Sequence, residues 1–374
     1  MNILFDHQSF SRQAKGGVSR SFVELVRALN GFKDVHARIL APLHWNDYLC
    51  DSRNKKFCTG IHQNRGIFRL WHQRWWLNYL TTAVSSRFIV PDILHETWYS
   101  TIGYPLARRT KCAITIHDLI YQIHPEWTVD ALKRSKQLAA SLDRADVIFC
   151  VSEHTKNDLL NWRTSLNPDR VFTVYHGISN LGSTGDLDSE AHLNILSEGP
   201  YFLYVGQRAS QNKNFPILAQ AFAHSGLQNT FSLLCFGGGP FNDQEMSLFK
   251  QAGLRKDRIL QVSGDDQLLR RAYQSATALV YPSLYEGFGL PVLEAMSLRC
   301  PVLSSNASCL PEIGGDACLY FSPTILDDAI CALKHIAADS TFRDNLMIKG
   351  LRRCENFTLK KSAKSALKAY NSIL

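Results

Sequence analysis

The chain has 374 residues, 45% of them hydrophobic and 20% charged, with a formal net charge of +8. These figures exclude a disordered chain and leave length enough for two hydrophobic cores. The positive charge favours anionic partners such as nucleotides, diphosphates or lipid headgroups. With no zinc-finger spacing, helix-turn-helix signature or aromatic-glycine RNA motif in the sequence, no nucleic-acid partner is expected.

In chain order, short β-branched or apolar runs alternate with helical patterns. Asn2–Phe5, His36–Ala41, Ile93–His95, Cys112–Ile116, Val147–Val151 and Val171–Tyr175 read as strands, with helices over Val18–Leu29 and Lys133–Ala145 between them. The rhythm restarts at Tyr201–Val205 and continues through Phe231–Phe236, Ile259–Val262, Ala278–Tyr281, Pro301–Ser304 and Cys318–Phe321. Such alternation predicts parallel sheets covered on both faces. The polar stretch Ser179–Gly199 separates two blocks, an N-terminal domain over 1–180 and a C-terminal one over 195–358. A basic amphipathic helix over 359–374 is expected to pack back on the first. The fold class is therefore α/β, two doubly wound Rossmann-like domains. Ligands of such domains sit at the carboxyl ends of the strands, so a cleft between the two is the expected site.

The ten cysteines form no C-x-x-C pair and several lie in apolar runs, as reduced thiols of a cytoplasmic protein do. The start, MNILFDHQSF, reads as a first strand rather than a signal peptide, and no apolar run approaches the ~20 residues that span a bilayer. The sequons at Asn306 and Asn356 are then chance matches.

Several local patterns bear chemistry. Gly16-Gly17-Val18-Ser19-Arg20 follows the first strand and opens a helix, which suits a loop that closes over a ligand. The stretch Arg65–Leu80, RGIFRLWHQRWWLNYL, gathers tryptophans and arginines in one helix. It reads equally as an interfacial or acceptor-binding surface and as a core-packing helix with solvated arginines. His95-Glu96-Thr97 and His117-Asp118 each end a strand, where ligands bind. A histidine after a strand is also commonly structural, with Asp118 then orienting it or the loop. Asp186-Leu187-Asp188 matches a metal-binding D-x-D pattern but lies in the polar linker, so no metal is predicted. Arg208 and Lys213, five positions apart after the strand Tyr201–Val205, can flank a diphosphate or belong to an exposed basic loop.

The densest pattern is Tyr285–Met296, YEGFGLPVLEAM: a strand end, a turn with Gly287 and Gly289, and a helix from about Val292. Amides at such a turn and helix start bind anionic oxygens, and glycines let a backbone approach a ligand. Glu286 in the turn and Glu294 about two residues into the helix can address two hydroxyl-bearing parts of one ligand. On pattern alone, a surface loop with two solvated glutamates fits as well.

PSLYEGFGLPVLEAM, followed by Pro301-Val302-Leu303 and Leu310-Pro311-Glu312-Ile313-Gly314-Gly315-Asp316-Ala317, resembles the signature of the retaining family-4 glycosyltransferases, which have the GT-B fold. By that resemblance Glu286 binds hydroxyls of the transferred sugar and Glu294 the nucleotide ribose. The amides of Phe288, Gly289 and Leu290 then face the sugar and diphosphate, with Gly287 in the same donor-binding turn, and Arg208 and Lys213 neutralise the diphosphate. His117 lies beside the reacting sugar, and Gly16 and Gly17 contact the donor phosphate and the acceptor. The string from Asp6 through Arg20 is like a subgroup of bacterial surface-polysaccharide synthesis. It tilts the donor towards GDP-mannose, with UDP-sugars as the alternative, and the acceptor towards a glycan or lipid-linked glycan. No cofactor is implied beyond the donor. A cytoplasmic enzyme, in peripheral contact with the inner membrane if Arg65–Leu80 is interfacial, is expected. One departure stands out: Arg299 precedes Cys300-Pro301-Val302 where the family usually has glycine or another small residue. Among rival readings, a phosphorylase lacks context for a pyridoxal-phosphate lysine, and a dehydrogenase lacks G-x-G-x-x-G after a strand. A non-catalytic nucleotide-sugar sensor is disfavoured by the intact Glu286, Glu294, Arg208, Lys213 and His117.

Overall fold

The computed structural model describes residues 1–63, 71–178 and 199–374, with the backbone alone for 71–74. Asp186, Asp188, Arg65 and Arg69, and the side chains of Trp71 and Arg74, lie outside the described residues. Two compact units divide the chain: Met1–Gly177 with Phe357–Leu374, and Ile178–Asn356.

In the first unit the described strands are β1 (Asn2–Phe5), β2 (His36–His44), β3 (Cys58–His62), β4 (Ile93–Glu96), β5 (Lys111–Ile116), β6 (Val147–Cys150) and β7 (Val171–Thr173). They form one parallel sheet in the order β3-β2-β1-β4-β5-β6-β7. The helix Gly17–Leu29 turns Phe22, Val23, Leu25, Val26 and Leu29 onto this sheet. The C-terminal helix Leu359–Asn371 lays Ala363, Ala366, Ala369 and Tyr370 beside it in the same core. Each large apolar side chain removed from water contributes about 1.5–3 kcal/mol.

β3 is the strand that apolar patterning does not predict. It is an edge strand, half-buried at best from Cys58 on, so burial imposes no alternation on its sequence. The helix expected within Arg65–Leu80 is described over Trp71–Ile89, well past Leu80. All ten cysteines are free thiols. Among the described residues no helix is long and apolar enough to cross a membrane.

The second unit holds β8 (Tyr201–Val205), β9 (Ser232–Phe236), β10 (Ile259–Val262), β11 (Ala278–Tyr281), β12 (Val302–Ser305) and β13 (Leu319–Phe321). Its order is β10-β9-β8-β11-β12-β13, all parallel. Helices Phe215–His224 and Leu326–Ala338 share a core with Phe202, Tyr204, Leu233 and Cys235. In both sheets the first strand sits in the middle, with the next strand on one side and a later one on the other. The connections therefore leave a crevice at the carboxyl ends of β1 and β4, and of β8 and β11.

Candidate active site

The second unit's switch point is built from two loops, residues 206–214 after β8 and 282–289 after β11. They are tied together by their own backbones. Leu284 donates to the Asn212 carbonyl at 2.7 Å, and Asn212 Nδ2 donates to the Tyr285 carbonyl at 3.1 Å. Asn214, in the left-handed region at φ 50°, donates from Nδ2 to the carbonyls of Pro282 and Pro323. On the far side the Glu286 amide donates to Ser308 Oγ at 2.9 Å.

This lacing brings Lys213 and Glu286 into one ion pair. Lys213 Nζ lies 2.7 Å from Glu286 Oε1 and donates to the Tyr281 hydroxyl at 2.9 Å. Burial first, and the Glu286 charge second, hold the Tyr281 phenol well above its ordinary range, so it stays a neutral hydroxyl. A cation, a carboxylate and a phenol thus converge at the end of β11, suited to a ligand carrying both hydroxyls and negative charge.

The turn from Glu286 runs into the helix Leu290–Ser297. Gly289, at φ 93°, is its N-cap, and a Cβ there would come within 2.8 Å of Leu310 Cδ2. The conformation is what demands glycine; the contact alone would ask only that the tip of Leu310 shift. Leu290 and Pro291 open the helix, not Val292, because proline at the second position fixes the helical φ without wasting a donor. Glu294 is consequently the fifth helical residue. It is buried, with Oε2 3.0 Å from the Tyr273 hydroxyl. Gly287 and Phe288 are buried in the turn between the two glutamates.

Arg208 does not join the Lys213–Glu286 pair. Its side chain is buried, with Nε 2.7 Å from Glu245 Oε1, Nη1 donating to the Gly237 carbonyl and Nη2 to those of Gly239 and Pro240. Phe241 lies under the guanidinium at 4.6 Å. Gly237, Gly238 and Gly239 all have positive φ, and a Cβ on Gly238 would lie 2.7 Å from Arg208 Nη1. Arg208 thus clamps a left-handed glycine loop at the end of β9. The sequence expectation of two cations side by side missed Glu245, which is 37 positions away.

In the first unit His117 follows β5 with its ring buried. It stacks on His176 at 5.6 Å and meets the edge of Phe22 at 5.4 Å, and its Nε2 is buried without a hydrogen-bond partner. Burial, then the neighbouring His176 and His95, push its pKa well below the usual range, and burial takes His176 to about 4. Both rings are neutral at pH 7. Asp118 accepts the Ile120 amide at 3.2 Å, which shapes the loop after β5.

Gly16 is the N-cap of Gly17–Leu29, and its carbonyl accepts from the Arg20 amide and Ser19 Oγ. Arg20 acts on the charge of His176. The glycine pair therefore opens the helix that carries Arg20 and Phe22 to the two histidines. His176 is not singled out by the sequence, although, like His117, it comes shortly after a strand.

His95, Glu96 and Thr97 are not ligand-lining groups. His95 is fully buried, with Nδ1 2.6 Å from the Tyr370 hydroxyl and Nε2 2.8 Å from Thr115 Oγ1. Glu96 forms a two-point pair with Arg144 at 2.5 and 2.7 Å, and Thr97 donates to Asp6. Among the described residues no group of three or more His, Cys, Asp or Glu side chains is placed to hold a metal ion.

Comparison with known proteins adds family to geometry. Residues 188–366 match the family model Glycosyl transferases group 1, and residues 15–180 match Glycosyltransferase Family 4. The chain is similar to O-antigen chain mannosyltransferase B of Escherichia coli, 28% identical over 273 residues, covering 70% of this chain and 71% of that protein. It is also similar to the serotype-specific mannosyltransferase WbdA of Escherichia coli, 26% identical over 277 residues. That match covers 71% of this chain but 34% of WbdA, so the chain spans about a third of that relative. Among solved structures, sucrose-phosphate synthase from Thermosynechococcus elongatus superposes with a TM-score of 0.75 at 20% identity, covering 99% of this chain and 98% of that one.

Proposed function

The chain belongs to the family-4 glycosyltransferases and has the GT-B fold, and on that premise we propose that it moves a hexose from a nucleoside diphosphate to a hydroxyl of a glycan or lipid-linked glycan, with retention at the anomeric carbon. The observation that carries this reading is the Lys213–Glu286 pair beside Tyr281, at the switch point of a doubly wound sheet. Mannose as the sugar, GDP as the nucleotide and surface polysaccharide as the product rest on the mannosyltransferase names of the relatives.

In this reading Glu286 holds hydroxyls of the transferred sugar and Glu294 the ribose. The bond from the anomeric carbon to the phosphate oxygen breaks, and the nucleoside diphosphate leaves with the electron pair. The acceptor oxygen bonds to the same face of the sugar, and its proton passes to the departing phosphate oxygen. Negative charge grows on the leaving group. Lys213 and the amides of Phe288, Gly289 and Leu290 oppose it, fixed in place before the reaction begins. Arg208 contributes from within the glycine loop it clamps. These groups offset the charge without a metal. Gly16 and Gly17 are assigned to the donor phosphate and acceptor. His117, neutral because it is buried, exchanges a single hydrogen bond with a sugar hydroxyl.

A donor panel tests the proposal: thermal stabilisation by GDP-, UDP- and dTDP-sugars, with and without chelator, followed by transfer to glycan acceptors. GDP-mannose is expected to raise the melting temperature most, unaffected by chelator. If no nucleoside diphosphate stabilises the protein, the donor site is wrong; stabilisation without transfer to any acceptor favours a sensor.

A further inference from the structure

The backbone at Glu286 is held by side chains from two other loops. Its N–H donates to Ser308 Oγ at 2.9 Å, and its carbonyl accepts from Cys309 Sγ at 3.1 Å. The Tyr285 carbonyl, on the same peptide as the Glu286 N–H, accepts from Asn212 Nδ2 at 3.1 Å. Burial, and then the Glu286 charge, hold the Cys309 thiol well above its ordinary range, so it is a neutral donor. Ser308 and Cys309 lie between β12 and the short helix Leu310–Gly314, and β12 is the neighbour of β11, whose end leads into the Glu286 turn.

Ser308 makes its bond from an unfavourable conformation. Its φ is 51°, in the left-handed region where glycine is at home, asparagine is tolerated and serine is uncommon. Among the described residues five that are not glycine have positive φ, and two of them, Asn214 and Ser308, bond the loop 282–289. An extended chain sends successive side chains to opposite sides. The left-handed turn at Ser308, followed by helical angles at Cys309 (φ −75°, ψ −6°), instead brings both side chains to the polar backbone atoms of one residue. Backbone strain persists where its surroundings fix it, and it gathers where geometry serves function. Glycine would relieve the strain at position 308 but would bring no hydroxyl to the Glu286 amide.

We propose that Ser308, with Cys309, is a positioning residue for transfer: the pair fixes the Glu286 backbone so that its carboxylate meets the sugar in one orientation. This rests on the sugar-holding role proposed for Glu286. The side chain that is aimed is the one paired with Lys213, and a displacement of about 1 Å at such a group can cost about 100-fold in rate.

Steady-state kinetics and melting of two variants test this. Ser308→Gly and Ser308→Ala should each lower kcat about tenfold or more, with the donor KM within about twofold of the parent's. Nucleoside diphosphate should stabilise both as it does the parent, because Lys213 and Glu294 are untouched. Ser308→Gly should melt above Ser308→Ala, since only glycine relieves the left-handed backbone. Equal losses of transfer in variants of unequal stability belong to the hydroxyl and not to folding. Added to Glu286→Ala, Ser308→Gly should cost no further transfer, because no carboxylate is left to aim. Cys309→Ser keeps a donor for the Glu286 carbonyl and should transfer better than Cys309→Ala; this pair decides the matter if the Ser308 variants do not fold. Ser308→Gly that transfers like the parent, while Glu286→Ala does not, would overturn the positioning role alone. So would a double variant that loses as much again, or Cys309→Ala that matches Cys309→Ser. Glu286→Ala that transfers like the parent would overturn the reading of Glu286 itself, and the positioning role with it.

Discussion

Glu286 and Glu294 stand eight positions apart in one motif, yet their surroundings set them different tasks. Glu286 is partly exposed and shares its charge with Lys213, so a ligand can compete for it. Glu294 is buried and anchored by Tyr273, so it presents a fixed acceptor. Glu286→Ala should cut transfer by about 10³-fold, the scale for losing a group that holds the reacting centre, while nucleoside diphosphate still stabilises the protein. Glu294→Gln retains a partner for Tyr273 and should leave folding intact but weaken the nucleotide about tenfold. Transfer assays paired with nucleotide-dependent melting separate the two. Equal losses of nucleotide binding in both variants would contradict the division of labour. Arg208 shows the limit of reading single residues. Its five-residue spacing from Lys213 suggested a shared ligand, whereas its side chain answers to Glu245 and three carbonyls.

At the scale of the element, Arg299 explains its own oddity. The helix Leu290–Ser297 ends with the Cys300 amide donating to the Ala295 carbonyl and the Arg299 amide to that of Met296. Such a closure places one residue in the left-handed region, and Arg299 has φ 59°. Glycine is at home there and arginine is not, which is why a small residue is usual at this point of the motif. Arg299→Gly should therefore stabilise the protein. The left-handed penalty of about 1–2 kcal/mol is offset in part by the greater freedom of glycine in the unfolded chain. A net gain of about 0.5–1 kcal/mol, or roughly 1–4 °C for a unit of this size, should appear in thermal melts without change in transfer. A lower melting temperature would show that the arginine side chain makes up for its backbone.

Elements also mark how far the sequence could be read. Central strands such as β1, β8 and β11 are legible to the residue because burial on both faces enforces an apolar run. β3 is not, because an exposed edge enforces nothing. The glutamates, the glycine turn and Lys213 are legible because they fall in one motif or one loop. The Asn212 and Asn214 bonds that fasten those loops together join positions about 70 residues apart, and no local pattern announces them. The helix Trp71–Ile89 is the instructive case. Its aromatic and arginine content was visible, but which face turned inward depended on Asn78 finding Leu43.

For the whole molecule, the histidines distinguish the two units. His7 and His176 are pushed down to about 4 and His95 to about 3, each chiefly by burial, and all three belong to the first unit. In the unfolded chain a histidine takes a proton near pH 6.5. Between that value and its lowered folded one, only the unfolded state is protonated, so acid favours unfolding. The stability these groups contribute is complete above pH 6.5 and is lost as the pH falls from there through about 4, at about 1.4 kcal/mol per pH unit for each histidine. All seven tryptophans, from Trp45 to Trp162, also lie in the first unit, so their fluorescence reports its unfolding alone. Tryptophan-monitored melting should be level from pH 8 to about 6.5 and fall by at least about 5 °C by pH 5.5. A melting temperature that holds steady through pH 5.5 would mean that these rings find protons or partners in the folded state. His117 sharpens the consequence for catalysis. Because it is buried and neutral with Nε2 unpaired, transfer should show no loss attributable to this ring until the first unit itself begins to open.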